Sequence, residues 1–455
     1  MSSQTATINA DDFRTFPRRL EGKARSRHHA EYAGWHASAC WNGRHFDRFP
    51  EYIVRAQSLT DVASTIDFAR SHRLSISVRG NGHSYAGCFM RDSGILLDLS
   101  ALKQIEIDVA GRSASVQPGV TSRLLSAALA PHGLAFPTGH GGDVGISGFL
   151  LGGGLGINFH AWGNMSTFSV YAVDVMLADG RLVHADAEEN PDLFWAARGA
   201  GPLSFFVVVK FHLRCYSLPV FITSNTYSTS LDRLPELLSE TERIGPEASL
   251  QVMVAVVSGS NGHGVVLNTL AFAEDSGKAE QLHASLIYRL PQGLVDVVSE
   301  NAAASFESLY NSTEAMLVSR RYRTDNVLTD RGADSAKILA SHLPRQPSAA
   351  TVSLFIWRGD PVLPEAAFSA HGRFFLSTYA QWNEEQDDEL NRRWLNALYD
   401  DLAGVSTASY INEFDLEKRS ESVSRCFAPS NWSKLMELRH RFDPDGVFHD
   451  TRMHR

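Results

Sequence analysis

Cysteine is scarce: only four occur in 455 residues, at positions 40, 88, 215 and 426, with no CxxC pair among them. That excludes a secreted disulfide framework and a paired-cysteine metal site, and leads us to expect reduced thiols in a cytoplasmic protein. Long apolar runs are missing too. The nearest, LSFFVVVKFHL, is broken by Lys210 and falls short of the ~20 residues that span a bilayer. The first thirty residues lack the apolar core of a secretory signal, and the Arg18-Arg19 pair runs on into LEGKARSRHH, a polar surface segment, not a twin-arginine signal. There is no basic surplus either: 42 Lys and Arg stand against 51 Asp and Glu, a formal charge of -9, so nucleic acid is not an expected partner. GxxxxGK[ST], GxSxG and HExxH are all absent, and no His, Cys and carboxylate spacing resembles a metal site.

What is present is an ordinary globular composition, 44% hydrophobic and 20% charged, long enough for two domains with substantial cores. Ser58 and Asp61 stand in capping-box spacing ahead of Val62, Ile66 and Ala69, which predicts a helix up to Arg73. LSISVR follows with Leu74, Ile76 and Val78 alternating as in a strand, and delivers the loop RGNGHS. GILLDLS and IEIDVAGRSASVQPG read as further strands, the latter turning at 108–111. From Thr121 a helix with an apolar face of Leu124, Leu125, Ala128 and Leu129 runs to Gly133. Nine glycines then fall within 139–156, ahead of a hairpin turning at Asp179-Gly180. Beyond Pro219 the alternation of helical segments with runs such as LQVMVAVV and ATVSLFIW suggests a second domain to about Gly404. The tail carries YINEFD and a helix that Asp443-Pro444 stops.

Glycine clusters let backbone N–H groups approach a pyrophosphate. A Rossmann fingerprint would need them to open a helix directly after a strand, yet HSYAGCFMRDSG has no helical face. For 139–156 a tightly packed turn region and a phosphate cradle both stay open, and for His83 a hydrogen-bonded surface role and a chemical one.

RGNGHS at 79–84 resembles the RSGGHS loop of the vanillyl-alcohol oxidase and p-cresol methylhydroxylase (PCMH) flavoprotein superfamily, in its berberine-bridge-enzyme-like (BBE-like) branch. WNG and RFPEYIVR within 41–55, VGISGFLLGGGLG at 144–156, NPDLFWAARGAG at 190–201, YIN at 410–412 and RFDPDGVF at 441–448 fit the same family in the same order. The chain is most similar to its bacterial 6-hydroxynicotine-oxidase-like members. The resemblance implies an α+β, two-domain PCMH-type fold. Its FAD domain would be discontinuous, 1–215 completed by 406–455, and its substrate domain, 216–405, would be built on an antiparallel sheet.

It further implies one FAD joined by a single covalent bond from His83 to the flavin 8α-methyl, since Gly141 stands where relatives carry a second, cysteinyl link. Flavin contacts would come from Arg79, Gly80, Asn81, Gly82, Ser84, Thr138, Gly139, Gly142, Gly145, Gly148, Gly152, Gly153, Gly154, Val207 and Asn412. The implied activity is that of an FAD-dependent oxidoreductase, expected to be an oxidase passing hydride from a small alcohol, amine or specialised metabolite to FAD, with O2 as acceptor. A dehydrogenase with another acceptor and a non-catalytic flavin-containing binding protein are the alternatives.

Tyr410 is the expected base, and His371, in AFSAHGRFF, a second active-site group. A tyrosine, with its ordinary pKa near 10, needs a nearby cation to act as a base. RRYR at 320–323 could supply one or be a solvated basic segment, and EEQDDE at 384–389 reads as a solvated helix entry. Ser147, Phe149 and Phe206 depart from the family pattern around the flavin edge, and Glu413 stands where a second tyrosine is usual.

Overall fold

The structure, a computed structural model, describes residues 17–259 and 262–450. The expected outer limits of the FAD domain, at residues 1 and 455, therefore lie outside the described residues.

Four short strands open the chain: β1 (Ala24–Ser26), β2 (Tyr52–Arg55), β3 (Ile76–Arg79) and β4 (Ile95–Asp98), in sheet order β1-β2-β4-β3 with β2 and β3 both parallel to β4. The helix Leu59–His72 starts where Ser58 Oγ accepts from the Asp61 backbone N–H, and it buries Val62, Ile66 and Ala69. The Asp61 carboxylate bonds Lys23 and the Gln57 N–H instead of closing a reciprocal box on Ser58. β3 is less one-sided than its alternation suggests: Ile76, Ser77 and Arg79 are all buried, because a strand in a covered parallel sheet loses water on both faces.

The chain continues through β5 (Ile105–Asp108), β6 (Ser113–Val116), the short β7 (Leu134–Ala135), β8 (Val170–Met176), β9 (Leu182–Asp186), β10 (Val207–Arg214) and the short β11 (Tyr216–Ser217). β5-β6-β10-β8-β9 form an antiparallel sheet, and β7 pairs with β11. The β8-β9 turn uses Gly180 at φ +85°, the left-handed conformation that glycine takes without strain. The helix Ser122–Leu129 is present, but Leu124 is exposed while Leu125 and Leu129 enter the core, so its apolar face is narrower than expected.

β12 (Phe221–Ser230), β13 (Leu250–Gly259), β14 (Gly262–Ala273), β15 (Asp296–Ala303), β16 (Arg321–Thr329), β17 (Val352–Trp357) and β18 (Phe374–Trp382) make a seven-stranded antiparallel sheet in the order β15-β12-β14-β13-β17-β18-β16. Alternate residues serve its two faces. Val252, Val254, Phe355 and Leu376 join a core with Leu237, Leu282, Leu339 and Leu395 of the covering helices, while Met253, Leu354, Ile356 and Phe375 face the other way, into a cavity.

The C-terminal segment returns to the N-terminal half. Leu435 and Leu438 of the helix Pro429–Phe442 join the core of the second sheet, and Val447 and Phe448 join that of the first, where His449 N–H bonds Ile76 O at 2.8 Å. The fold is thus α+β with a discontinuous N-terminal domain. RRYR is solvated only at Arg320: Arg321, Tyr322 and Arg323 are buried on β16, with Arg321 paired to Asp388 and Arg323 to Asp415 at 2.8 Å. Their charges are spent on partners, and Asp388, within the expected solvated helix entry, is one of those partners. Among the described residues no helix is long and apolar enough to cross a membrane, and all four cysteines are free thiols.

Candidate functional site

A cavity of about 1170 Å³ lies between the glycine loops and the open face of the seven-stranded sheet. His83 reaches it from the loop after β3. Gly82 takes φ +77° there, and a Cβ on it would press on the Ala39 carbonyl and the Arg79 guanidinium. Arg79 itself braces the loop, donating to Ala39 O at 2.6 Å and to the Asp98 carboxylate at 2.7 Å. The His83 ring stacks on Trp41 with centroids 4.2 Å apart, and Trp41 stacks in turn on Tyr322 at 4.7 Å. His83 Nε2 lies 3.1 Å from Asp143 Oδ1. Burial works against ionising Asp143, but the imidazole beside it holds the carboxyl below its usual range.

Glu413 lines the same cavity, linked to His83 through the rings of Tyr85 and Tyr379. Its Oε2 accepts from Ser377 Oγ at 2.6 Å and from the Tyr379 hydroxyl at 2.9 Å, both on β18. Burial raises the Glu413 carboxyl above the ordinary glutamate value, and these two hydrogen bonds only partly offset it. The loop bearing Glu413 is clamped to β16. Buried Asn326 accepts from Tyr410 N–H at 2.7 Å and donates to Tyr410 O at 2.9 Å.

The phenol oxygen of Tyr410 accepts from the backbone N–H of Gly154 at 3.0 Å and Leu155 at 3.3 Å, and from Asn412 Nδ2 at 2.8 Å. Tyr410 is buried, which, with the Glu413 charge, pushes its hydroxyl up from its ordinary pKa. Its hydrogen bonds tie the glycine-rich loop to the C-terminal segment.

Of the residues expected at the flavin, Arg79, Gly80, Asn81, Gly82, His83, Ser84, Gly139, Gly145, Gly148, Val207 and Asn412 line the cavity. Thr138, Gly142, Gly152, Gly153 and Gly154 do not. Thr138 is buried against the Tyr310 hydroxyl at 2.7 Å, and the four glycines make room for Arg123, Asn412, Phe368 and Phe149, so packing explains them. His371 is exposed and outside the cavity, with its carbonyl held by Thr407 Oγ1, so the active-site expectation for it gives way. Ser147, Phe149 and Phe206, the departures near the flavin edge, do line the cavity.

Trp41, Tyr85, Asp143, Tyr379 and the role of Glu413 were not anticipated from the sequence. Trp41 sits in the WNG segment and could have been weighted. Glu413, the one charged residue in YINEF, was the available sign of a buried acid.

The cavity suits a large ligand that is partly polar and anionic. Asn81 Oδ1, Arg91 Nε and His449 Nδ1 lie on its wall, each buried and without a hydrogen-bond partner among the described residues. A buried polar atom left unpaired costs free energy that a ligand can return. Gly80 and Gly145 line it as well, but a Cβ on either would collide with Ser147 or Asn81, so protein packing already requires glycine at both. A flavin dinucleotide would meet these demands, with His83 and Trp41 available to its aromatic ring system and glycine backbone and a buried guanidinium available to its pyrophosphate.

Comparison with known proteins agrees. Residues 50–186 match the family model described as an FAD binding domain. The FAD-linked oxidoreductase janO of Penicillium janthinellum is 30% identical over 84% of this chain and 87% of its own length. The (R)-6-hydroxynicotine oxidase of Paenarthrobacter nicotinovorans is 30% identical over 90% of this chain and 91% of its own. The crystal structure of 6-hydroxy-D-nicotine oxidase from Arthrobacter nicotinovorans superposes with TM-score 0.80 at 25% identity, covering 95% of this chain and 98% of that one. BBE-like 28 of Arabidopsis thaliana shares the fold, with TM-score 0.81 at 19% identity over 95% of this chain and 98% of that one. With this cavity and these relatives, the chain belongs to the FAD-linked oxidoreductases of the PCMH-type, BBE-like superfamily.

Proposed function

We propose that this oxidoreductase is an oxidase that carries one FAD on a single covalent bond to His83, takes hydride from an apolar secondary alcohol or amine, and passes the electrons to O2. The observation that carries the reading is that His83, on the loop after β3, and Glu413, on the C-terminal segment hydrogen-bonded to β18, line one cavity. Bound FAD would supply the hydride acceptor.

The residues of the chain do the rest. Asp143 takes up Nε2 of His83, which leaves Nδ1 as the nitrogen with a free lone pair for the link to the cofactor. Trp41 and Tyr322 hold the imidazole plane. Glu413 receives the proton of the substrate hydroxyl or amine. A carboxyl raised by burial is a more effective base near neutral pH than an ordinary glutamate, and its two hydroxyl donors fix the oxygen that takes the proton. Tyr410, pushed further from neutrality and already accepting three hydrogen bonds, is a positioning residue here.

Met253, Leu354, Ile356 and Phe375 on the facing sheet favour a flat apolar substrate such as an N-heterocycle over a sugar. The relative whose name states a hydroxylated nicotine as substrate is consistent with that class.

The test denatures the purified protein in acid and compares it with His83→Ala. Yellow colour should stay with the polypeptide only when His83 is present. Turnover of an N-heterocyclic amine and alcohol panel should release peroxide in step with substrate loss. Substrate-driven bleaching without peroxide would instead favour a dehydrogenase, and a flavin that no compound bleaches would favour a binding protein.

A further inference from the structure

We propose that the outer face of the second sheet carries a binding site for a divalent transition-metal ion of the zinc type, formed by Asp174, His184 and His212. The three side chains come from three adjacent strands. Asp174 on β8 pairs directly with His184 on β9, and His212 on β10 pairs with Ala172, one residue pair along β8 on the same face. No spacing in the sequence reveals this set, because 10 and 28 residues separate its members and only strand pairing joins them.

The geometry is that of ligands facing a common point. His184 Nδ1 lies 2.7 Å from one Asp174 oxygen, His212 Nε2 lies 3.3 Å from the other, and one ligand atom from each residue falls within 4.8 Å of the rest. Two imidazoles and one carboxylate at such separations fit Zn–N and Zn–O bonds of about 2.0–2.2 Å, with a fourth position open to water.

The outer partners are in place as well. Metal-bound imidazoles commonly use their second nitrogen on a hydroxyl or carboxylate that fixes the ring. Ser115 Oγ, on β6, lies 2.9 Å from His212 Nδ1, and Asp186 lies 3.6 Å from His184 Nε2. His212 Nε2, aimed at Asp174, is buried yet has no properly directed hydrogen bond. The neighbouring cation does not compete, since Lys210 reaches toward Glu106 at 3.4 Å. The cluster is half-exposed, so an ion can enter from solvent. Imidazole and carboxylate ligands select zinc, nickel or copper over calcium or magnesium. The bound ion would staple edge strand β9 to β8 and β10, and β10 begins with Val207 and Val208 on the cavity wall.

The inference is independent of the flavin reading. Tag-free, flavin-loaded protein, stripped with chelator and dialysed, is titrated with zinc sulfate by calorimetry and followed by thermal melting. One equivalent should bind, with a rise in Tm. His184→Ala and His212→Ala should each weaken binding at least tenfold and abolish the Tm rise, and Ser115→Ala should weaken it about tenfold. His132→Ala, on the exposed surface elsewhere, should leave binding unchanged. Asp174→Asn keeps the side-chain shape where an alanine variant fails to fold, and it should lose binding with flavin content intact. Absence of saturable binding at 100-fold molar excess of zinc, or unchanged binding in the His184, His212 and Asp174 variants, overturns the site.

Discussion

The hydroxyl of Tyr379 donates a 2.9 Å hydrogen bond to the Glu413 carboxylate across the junction between β18 and the C-terminal loop. It fixes the orientation of the Glu413 carboxyl, while burial, only partly offset by this bond, resists its ionisation. Glu413→Gln should therefore retain flavin while kcat falls about 10²- to 10⁴-fold, the range lost with a general base. In the parent enzyme kcat should fall on acidification with an inflection above the ordinary glutamate value of about 4.3, and the residual rate of the variant should be flat across that window. Rates measured against pH, with flavin absorbance as the control, check both.

Stability should move the other way. Because the folded-state pKa of Glu413 is raised, the native state binds more protons than the unfolded chain between the two pKa values. This group's stabilising contribution is thus present below the unfolded value and lost as pH rises through the folded one. At pH 7 Glu413→Gln should melt at or above the parent temperature, and a marked fall in Tm would argue that the carboxylate is held charged.

The His83 loop was legible because its demands are local: a strand, a left-handed glycine and a histidine in consecutive positions. The FAD-domain strands, the Asp179-Gly180 hairpin and the C-terminal helix were legible for the same reason, as periodicity and turn chemistry sit within a few residues of one another. Glu413 was not legible, because its partners Ser377 and Tyr379 lie 36 and 34 residues away and only β18 brings them to it. His371 was expected in the pocket because the family resemblance places a histidine-bearing strand near the substrate there, but here the residue is exposed. RRYR looked like a solvated charge run throughout because Asp388 and Asp415, which neutralise Arg321 and Arg323, are far along the chain.

Tyr410→Phe separates positioning from chemistry. Loss of the hydroxyl leaves the Gly154 and Leu155 N–H groups without their acceptor, at about 1–3 kcal/mol for a buried donor. A lower Tm and weaker flavin retention should accompany a smaller loss of kcat than Glu413→Gln produces. Equal or greater loss of kcat at unchanged Tm would return the base role to Tyr410.

Asp143→Asn should slow attachment of the cofactor without preventing its binding. The Asp143 carboxylate accepts from His83 Nε2 and so keeps Nδ1 unprotonated; an amide can orient the ring but does not favour that state as strongly. Incubating apo-protein with FAD and following the yellow fraction that survives acid precipitation should show a rate lower by about 10²-fold, the scale of a lost acid-base partner. An unchanged rate would remove Asp143 from the attachment chemistry.

Arg91 offers the sharpest contrast between the cofactor-free and cofactor-loaded protein. It is 4% exposed, lines the cavity, makes no ion pair or hydrogen bond among the described residues, and burial lowers its pKa. Cys88 and Asp450 act on it only electrostatically, and a buried cation without a directly bonded anion destabilises the fold until one meets it. Arg91→Met keeps much of the volume and removes the charge, so the cofactor-free protein should gain stability, by about 1–4 kcal/mol on the scale of buried-ion replacements. The loaded protein should lose the corresponding pyrophosphate contact and bind FAD more weakly. Melting curves of both forms, with and without added FAD, would show the Tm gain on FAD addition shrinking in the variant. If that gain is the same in Arg91→Met as in the parent, the guanidinium does not face the cofactor's phosphates.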